Sequence, residues 1–315
     1  MASNCEQRTR MKSSLPGSGP ADQAGLPHAA GSGCAGLMRA YFCGTRGSTP
    51  VSGAGQAHYG GHTSCVGLAH GDEPPTLVLD AGTGLQQLSL ALRGRPFRGS
   101  VLLSHLHWDH THGMPFFPGG TLEGHRVDVY LPEQGADPED VLARAIAPPH
   151  FPIRPKELGS GWTFHSIEPG PHELEGFSVL AREIPHKGGR TFGYRVSDAT
   201  SAVAYLPDHS PLALGPGPEG IGVYHEAALA LASGADLLIH DAQHTALEMP
   251  RLGFLGHSAV EYAVGLAERC GVGRLVLFHH DPWRTDEEID RMVSDCGGAG
   301  VPVIAAFDGM VLDLP

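Results

Sequence analysis

The sequence predicts an α/β fold in which β-sheets pack between helices. Three observations carry this. From Met38 onward, strand-type and helix-type stretches alternate. Most of the strand-type stretches are short and bounded by Gly, Pro or Asp. Several apolar runs end abruptly at His or Asp.

The elements follow in order. Met38–Cys43, Cys65–Ala69 and Thr76–Asp80 read as short strands, and Leu85–Leu92 as a helix. Val101–His105 is a β-type run ending in polar residues, and Val127–Leu131 is another strand. Asp137 opens a helix over Pro138–Ala145, since a carboxylate there can cap the first free amides. Phe177–Arg182, Thr191–Val196 and Ala202–Leu206 form a strand series; a helix is predicted over Val223–Ala232. Asp236–Asp241 is a buried-type strand. Ser258 and Glu261 have capping-box spacing, with Val260, Ala263, Val264 and Ala267 on one helical face and Gly271 as the stop. Arg274–Phe278 is a strand. Thr285 and Glu288 form a second capping box for a helix reaching about Cys296, and Val301–Phe307 is the last strand. No fixed-period repeat is present.

Residues 1–37 are rich in Gly, Ser, Ala and Pro and lack any apolar period, so a disordered tail is expected before a single domain over residues 38–315. Met38 offers a second translation start, in which the tail is not made. Detection of residues 1–37 by N-terminal mass spectrometry would exclude it.

Composition narrows the function classes. The 315 residues are 41% apolar, enough for a large buried core. Asp and Glu number 34 against 21 Lys and Arg, a net charge of −13, which argues against a nucleic-acid partner or an anionic membrane. No apolar run approaches the roughly 18 residues of a membrane-spanning helix. The chain opens on no secretory pattern, and its six Cys show no C-x-x-C pair, so free thiols and a cytoplasmic location are expected. Histidine is abundant: 20 residues, nearly matching the 21 Lys and Arg. It is the commonest metal ligand.

The strongest motif is His105-Leu106-His107-Trp108-Asp109-His110, four potential ligands in six positions. In extended backbone His105 and His107 point to the same side and can share one metal. A turn at Trp108 aims Asp109 and His110 at a second. A polar loop that merely happens to be His-rich has no packing reason for this spacing.

This H-x-H-x-D-H run resembles the signature of the metallo-β-lactamase superfamily. The stretch from Met38 to about Asp308 is similar to its phosphodiesterase branch, which includes tRNase Z and the phosphoribosyl cyclic phosphodiesterases. FCGTRGSTP (42–50) resembles the family's first hairpin, and YGGHTSC (59–65) its YGGNTSC segment, with His62 where Asn is usual. LDAGTG (79–84) resembles the D-x-G-x-G strand end. The tail from DLLIHDAQHT through GHSAVEYA to LVLFHHD is similar to the corresponding tRNase Z-like stretch.

The resemblance implies a four-layer αββα sandwich and two divalent ions, Zn²⁺ first and Mn²⁺ second. It implies one site of His105, His107, His186 and Asp208, and a second of Asp109, His110, His279 and a bridging Asp208. His279 is favoured over the adjacent His280. Two divalent ions, two carboxylates and a hydroxide leave the site near +1, which attracts a phosphodiester despite the acidic chain. The resemblance also puts His257 over the scissile phosphate as proton donor. The free amides of a helix start beside Ser258 favour an anion there. Asp241 is expected to orient His257. Asp109, His257 and Asp241 are thus the catalytic candidates.

His112 and His209 read as surface or supporting residues, and His240 and His244 as local partners of Asp241. Met114–Pro118 and Pro148–Pro152 are candidate pocket walls, packing being the equal reading for Phe116 and Phe117. Only 22 positions separate His186 from Asp208, too few for the long tRNA-clamping arm usual in tRNase Z. The expected activity is therefore hydrolysis of small cyclic or linear phosphodiesters by a metal-bound hydroxide. The alternatives are a tRNase Z-like ribonuclease, a lactonase or thioesterase of the same fold, and a non-catalytic ligand-binding member. A homodimer is expected from the resemblance alone.

Overall fold

A computed structural model describes residues 37–315. The tail reading, with Cys5 and Cys34, falls outside them apart from Leu37. Two seven-stranded sheets dominate. The first contains β1 (Met38–Gly44), β2 (Cys65–His70), β3 (Leu77–Leu79), β4 (Arg98–Leu102), β5 (Arg126–Pro132) and β6 (Trp162–Ile167). The second contains β7 (Gly170–Leu174), β8 (Phe177–Ile184), β9 (Thr191–Ser197), β10 (Ala202–Leu206), β11 (Leu237–Asp241), β12 (Leu275–Phe278) and β13 (Val303–Ala305). The last strand, β14 (Val311–Asp313), returns to pair with β1. The sheet orders are β14-β1-β2-β3-β4-β5-β6 and β13-β12-β11-β10-β9-β8-β7.

The helices are α1 (Leu85–Ala91), α2 (Trp108–Thr111), α3 (Pro138–Ala143), α4 (Glu226–Ala232), α5 (Met249–Leu252), α6 (Val260–Arg269) and α7 (Asp286–Asp295). Helices α1 and α3 cover the outer face of the first sheet; α4, α6 and α7 cover that of the second. The result is the four-layer αββα sandwich.

Strand alternation explains the uninterrupted apolar runs. In β10, Val203 and Tyr205 enter the core between the sheets, whereas Ala204 and Leu206 face the helices. In β12, Val276 and Phe278 face inward, Leu275 and Leu277 outward. A strand buried on both faces has no polar side. The strands β10, β11, β12 and β13 run parallel, and β8 is antiparallel to β9, as β9 is to β10. The C-terminal ends of β8, β10, β11 and β12 therefore share one edge. On the first sheet β3 and β4 are also parallel, so their ends share an edge too.

Several boundaries differ from the sequence reading. β4 spans Arg98–Leu102, not Val101–His105: Asp80 Oδ1 accepts the Ser104 amide at 2.6 Å, drawing the chain out of the sheet before His105. Helix α4 begins at Glu226, not Val223. β13 is confined to Val303–Ala305, because Pro302 has no amide to pair. The Thr285/Glu288 capping box is formed. The Ser258/Glu261 box is not: the cap of α6 is Ala259, Glu261 accepts the Ala246 amide at 2.8 Å, and the Ser258 hydroxyl is buried without a partner. Strands β6, β7 and β14 escaped the sequence reading. β7 is polar and opens on Gly-Pro, and β14 has three residues.

Candidate functional site

The strand ends deliver their polar residues to one place. His105, His107, His186 and Asp208 each present a ligand atom within 4.8 Å of the others. So do Asp109, His110, Asp208 and His279. The one-turn helix α2 makes the second group possible by swinging Asp109 and His110 away from the extended Ser104–His107 segment. Asp208 belongs to both. Its Oδ2 lies 3.6 Å from His105 Nε2 and 3.3 Å from His186 Nε2; its Oδ1 lies 3.1 Å from both His110 Nε2 and His279 Nε2. Asp109 Oδ2 lies 3.2 Å from His110 Nε2 and 3.0 Å from His279 Nε2. His280 points elsewhere, its Nε2 donating to the Ala306 carbonyl at 2.8 Å.

These donors fit divalent ions. His105 Nε2, His110 Nε2 and Asp208 Oδ1 are buried and have no hydrogen-bond partner, which is costly unless a cation meets them. Burial first, then the neighbouring imidazoles, keeps His105 well below the usual histidine range; burial likewise lowers His186 and His107. Neutral imidazole is the form that ligates. Burial opposes ionisation of Asp109 and Asp208, yet the surrounding imidazoles hold both well below the usual carboxylate range.

A supporting layer fixes the rings. Asp80 Oδ2 accepts from His110 Nδ1 at 2.7 Å, from Ser104 Oγ at 2.8 Å and from Tyr205 Oη at 2.8 Å. The Gly256 carbonyl accepts from His186 Nδ1 at 2.8 Å. The Ser48 amide donates to Asp109 Oδ2 at 2.7 Å, from a backbone held at φ 63°. A Cβ at Gly188 would sit 2.6 Å from His107 Nε2, so only glycine leaves room for that ring. Asp80 and Ser48 went unassigned in the sequence reading. The signal for Asp80 was present in its strand-end motif.

His257 stands beside both groups. Its Nδ1 donates to Asp241 Oδ2 at 3.0 Å, and its ring centroid lies 5.3 Å from that of His186 and 5.0 Å from that of His279. Burial opposes its protonation, but Asp241 prevails and the imidazole is pushed up to about 9. Two of the amides around this helix start are engaged: Ser258 N donates to Asp241 and Val260 N to the His244 carbonyl. Asp241 thus anchors the His257 ring and accepts three amides, from Ser258, His209 and Gln243.

Of the other histidines near Asp241, His240 bonds locally, whereas both ring nitrogens of His244 are buried without a partner, so His244 is not the local partner of Asp241 that the sequence suggested. His209 is fully buried and meets His240 across 3.1 Å, and His240 donates to the Asp241 carbonyl. His244 is fully buried beside His257, the ring centroids 6.0 Å apart. Phe117 is core; Phe116 is exposed and meets Phe151 edge-on, and neither Met114–Pro118 nor Pro148–Pro152 lines the cavity over the ligand groups.

A cavity of about 350 Å³ opens over these groups, lined by Ser48, Leu106, His107, Trp108, Asp109, Asp208 and His257. A larger groove of about 750 Å³ lies along α6 and α7 and contains none of them.

Residues 76–280 match the family model described as a beta-lactamase superfamily domain. The chain belongs to the metallo-β-lactamase superfamily. It is 24% identical over 284 residues to ribonuclease BN of Salmonella paratyphi B, covering 76% of this chain and 90% of that protein. The metallo-β-lactamase fold protein YhfI from Bacillus subtilis superposes with a TM-score of 0.65 at 18% identity, covering 88% of this chain and 99% of YhfI. A diphosphatase from the PhnP family superposes with a TM-score of 0.62 at 20% identity, covering 88% of this chain and 98% of that chain. The superfamily assignment and these relatives mark the chain as a metallo-hydrolase. Among the described residues, no helix is long and apolar enough to cross a membrane.

Proposed function

We propose that the protein is a metal-dependent phosphodiesterase acting on small cyclic or linear phosphodiesters. The observation that carries this reading is the His257–Asp241 pair set beside two ligand groups that share Asp208. In this reading His105, His107, His186 and Asp208 hold one divalent ion, and Asp109, His110, His279 and Asp208 the other, with Zn²⁺ the best match to imidazole and carboxylate donors. Such ions supply Lewis acidity for phosphoryl oxygens and an acidified water.

The chain's own residues do the rest. Asp208 keeps the two groups in register by giving one oxygen to each. Asp241 fixes the His257 ring through Nδ1, which leaves Nε2 as the nitrogen facing the cavity. A proton held there can pass to the leaving ester oxygen, and the adjacent Asp241 carboxylate favours that protonated form. Asp80, Ser48 and Gly256 hold the ligand side chains in one orientation each.

Small substrates are favoured over polynucleotides. The 22 positions from His186 to Asp208 are used by β9, β10 and their connections, leaving no room for a clamping arm. The net charge of −13 opposes a polyanion. The ribonuclease relative supports a second reading, cleavage of tRNA precursors. The four described cysteines are all free thiols, in keeping with a cytoplasmic protein.

The test is hydrolysis of bis(p-nitrophenyl) phosphate with Zn²⁺ or Mn²⁺. Turnover is expected with metal and is abolished by chelator. His257→Ala is expected to lower turnover at least about tenfold, with metal content unchanged. Absence of turnover with two metals demonstrably bound overturns the reading. Faster cleavage of a tRNA precursor than of small diesters replaces it with the ribonuclease.

A further inference from the structure

Trp108 stands at the first position of α2, between the candidate ligands His107 and Asp109. Ligation asks nothing of this position, since its neighbours supply the donor atoms. Yet it carries an indole, and that side chain is 67% exposed. The other two Trp residues are placed differently. Trp162 is buried, and its Nε1 donates to the Gly120 carbonyl at 2.9 Å. Trp283 is exposed but lies outside the cavity over the ligand groups. Trp108 alone of the three lines that cavity.

The cavity has two kinds of wall. His107, Asp109, Asp208 and His257 give it a titratable side. Leu106 and Trp108 are its two apolar side chains, and Ser48 completes it. The titratable side is accounted for by the ligand groups and the His257–Asp241 pair. The apolar side is not, because holding ions and a phosphate requires no indole. An aromatic face left in water beside such a site gains when a ligand ring covers it.

The indole is also held in place. It stacks on His112, one helical turn further on, with centroids 5.3 Å apart and planes 19° from parallel. His112 does not line the cavity over the ligand groups; it lines a smaller recess that shares Trp108 with it. One face of the indole is therefore backed by an imidazole, and no other ring among the described residues stacks on the opposite face. A Trp side chain has few torsions to freeze, and the His112 stack restrains them before any ligand arrives. A pre-set aromatic face beside an anion-binding centre matches an ester that carries a flat ring.

We propose that Trp108 is a specificity-determining residue that stacks on a flat aromatic ring carried by the phosphodiester substrate, a nucleobase or an aryl ester. This rests on the phosphodiesterase reading for what the titratable side of the cavity holds. The scissile group sits against the His and Asp side chains while the ring lies on the indole. Esters of plain sugars and alkyl alcohols are then the poorer ligands.

The test is calorimetric binding of three phosphate monoesters to the full-length, zinc-loaded protein: ribose 5-phosphate, adenosine 5′-phosphate and phenyl phosphate. The wild type is expected to bind a ring-bearing probe about tenfold tighter than ribose 5-phosphate, the size of one base–aromatic stack. Preference for adenosine 5′-phosphate assigns a nucleobase, and preference for phenyl phosphate alone assigns an aryl ester. Trp108→Leu, which stays apolar but has no π-face, is expected to shrink the preference to less than about threefold. Trp108→Ala is a second variant with the same expectation, and Trp108→Phe is expected to retain part of the preference. Ribose 5-phosphate affinity and zinc content are expected to stay unchanged, which separates a lost stack from a misfolded site. Trp283→Phe is expected to keep the full preference. Equal binding of all three probes by the wild type overturns the proposal, as does binding of none, or a preference that survives in a zinc-loaded Trp108→Leu or Trp108→Ala. The probes are monoesters, so binding is read apart from diester turnover. A protein that cleaves small diesters yet binds all three probes equally loses only the stacking role. One that prefers a ring-bearing probe yet cleaves no diester loses only the catalytic reading.

Discussion

The two sheets feed the same site in opposite ways. The first supplies four candidate ligands from six consecutive residues, His105 to His110, by breaking one strand end into a one-turn helix. The second supplies His186, Asp208 and His279 singly, one from the end of each of three strands, with Asp241 and His257 behind them. The first is local chemistry, set by a spacing. The second is topology: those ends meet only because β8, β10, β11 and β12 point the same way.

The sharpest way to break that comparison is at Asp208, where the two contributions join. Asp208→Ala removes an oxygen from each group and takes away the carboxylate that faces both His110 and His279 at 3.1 Å. Turnover is expected to fall by more than about a hundredfold, beyond the range for loss of an outer partner. Bound metal measured by elemental analysis is expected to fall towards zero equivalents. A variant that keeps two metals would show that the contiguous run suffices.

A smaller effect is expected at Asp80, which supports the first sheet's ligands. Asp80 accepts four hydrogen bonds, three of them at Oδ2. Asp80→Asn turns a donor towards donors in a fully buried place. Turnover is expected to fall about 10- to 100-fold, with the metal near His110 weakened more than the one near His107. Full retention of both metals would mean that the H-x-H-x-D-H run holds its own geometry.

The same contrast governs what was legible in the sequence. The spacing of His105, His107, Asp109 and His110 is local, so residues alone pointed to two metals. His186, Asp208 and His279 carry no local pattern; only family resemblance picked them out, and it separated His279 from its neighbour His280. The alternation of β10 and β12 was readable because both faces are apolar. β7 and β14 were not readable, being held by their neighbours in the sheet more than by their own composition. Asp80 was visible as a motif but silent as to role, because its partners come from β4, α2 and β10. The exposure of Trp108 depends on what the neighbouring segments leave uncovered, a matter of packing that no spacing records.

The smallest effects concern two helix starts that look alike in sequence. Ser258-x-x-Glu261 and Thr285-x-x-Glu288 have the same spacing, yet only the second is a capping box. The Thr285 hydroxyl accepts the Glu288 amide at 3.3 Å, and Glu288 accepts the Thr285 amide at 2.8 Å. At the first, Asp241 has taken the Ser258 amide and Ala246 has engaged Glu261, so the demands of the site override the local signal. Thr285→Ala is therefore expected to cost about 1 kcal/mol in denaturant unfolding, with turnover unchanged. Ser258→Ala removes a buried hydroxyl that has no partner, and its stability is expected to stay within about 0.5 kcal/mol of wild type. Equal losses at both positions would mean that Ser258 caps α6 after all. The first helix start would then obey its own sequence and not the pull of Asp241 on the second sheet's edge.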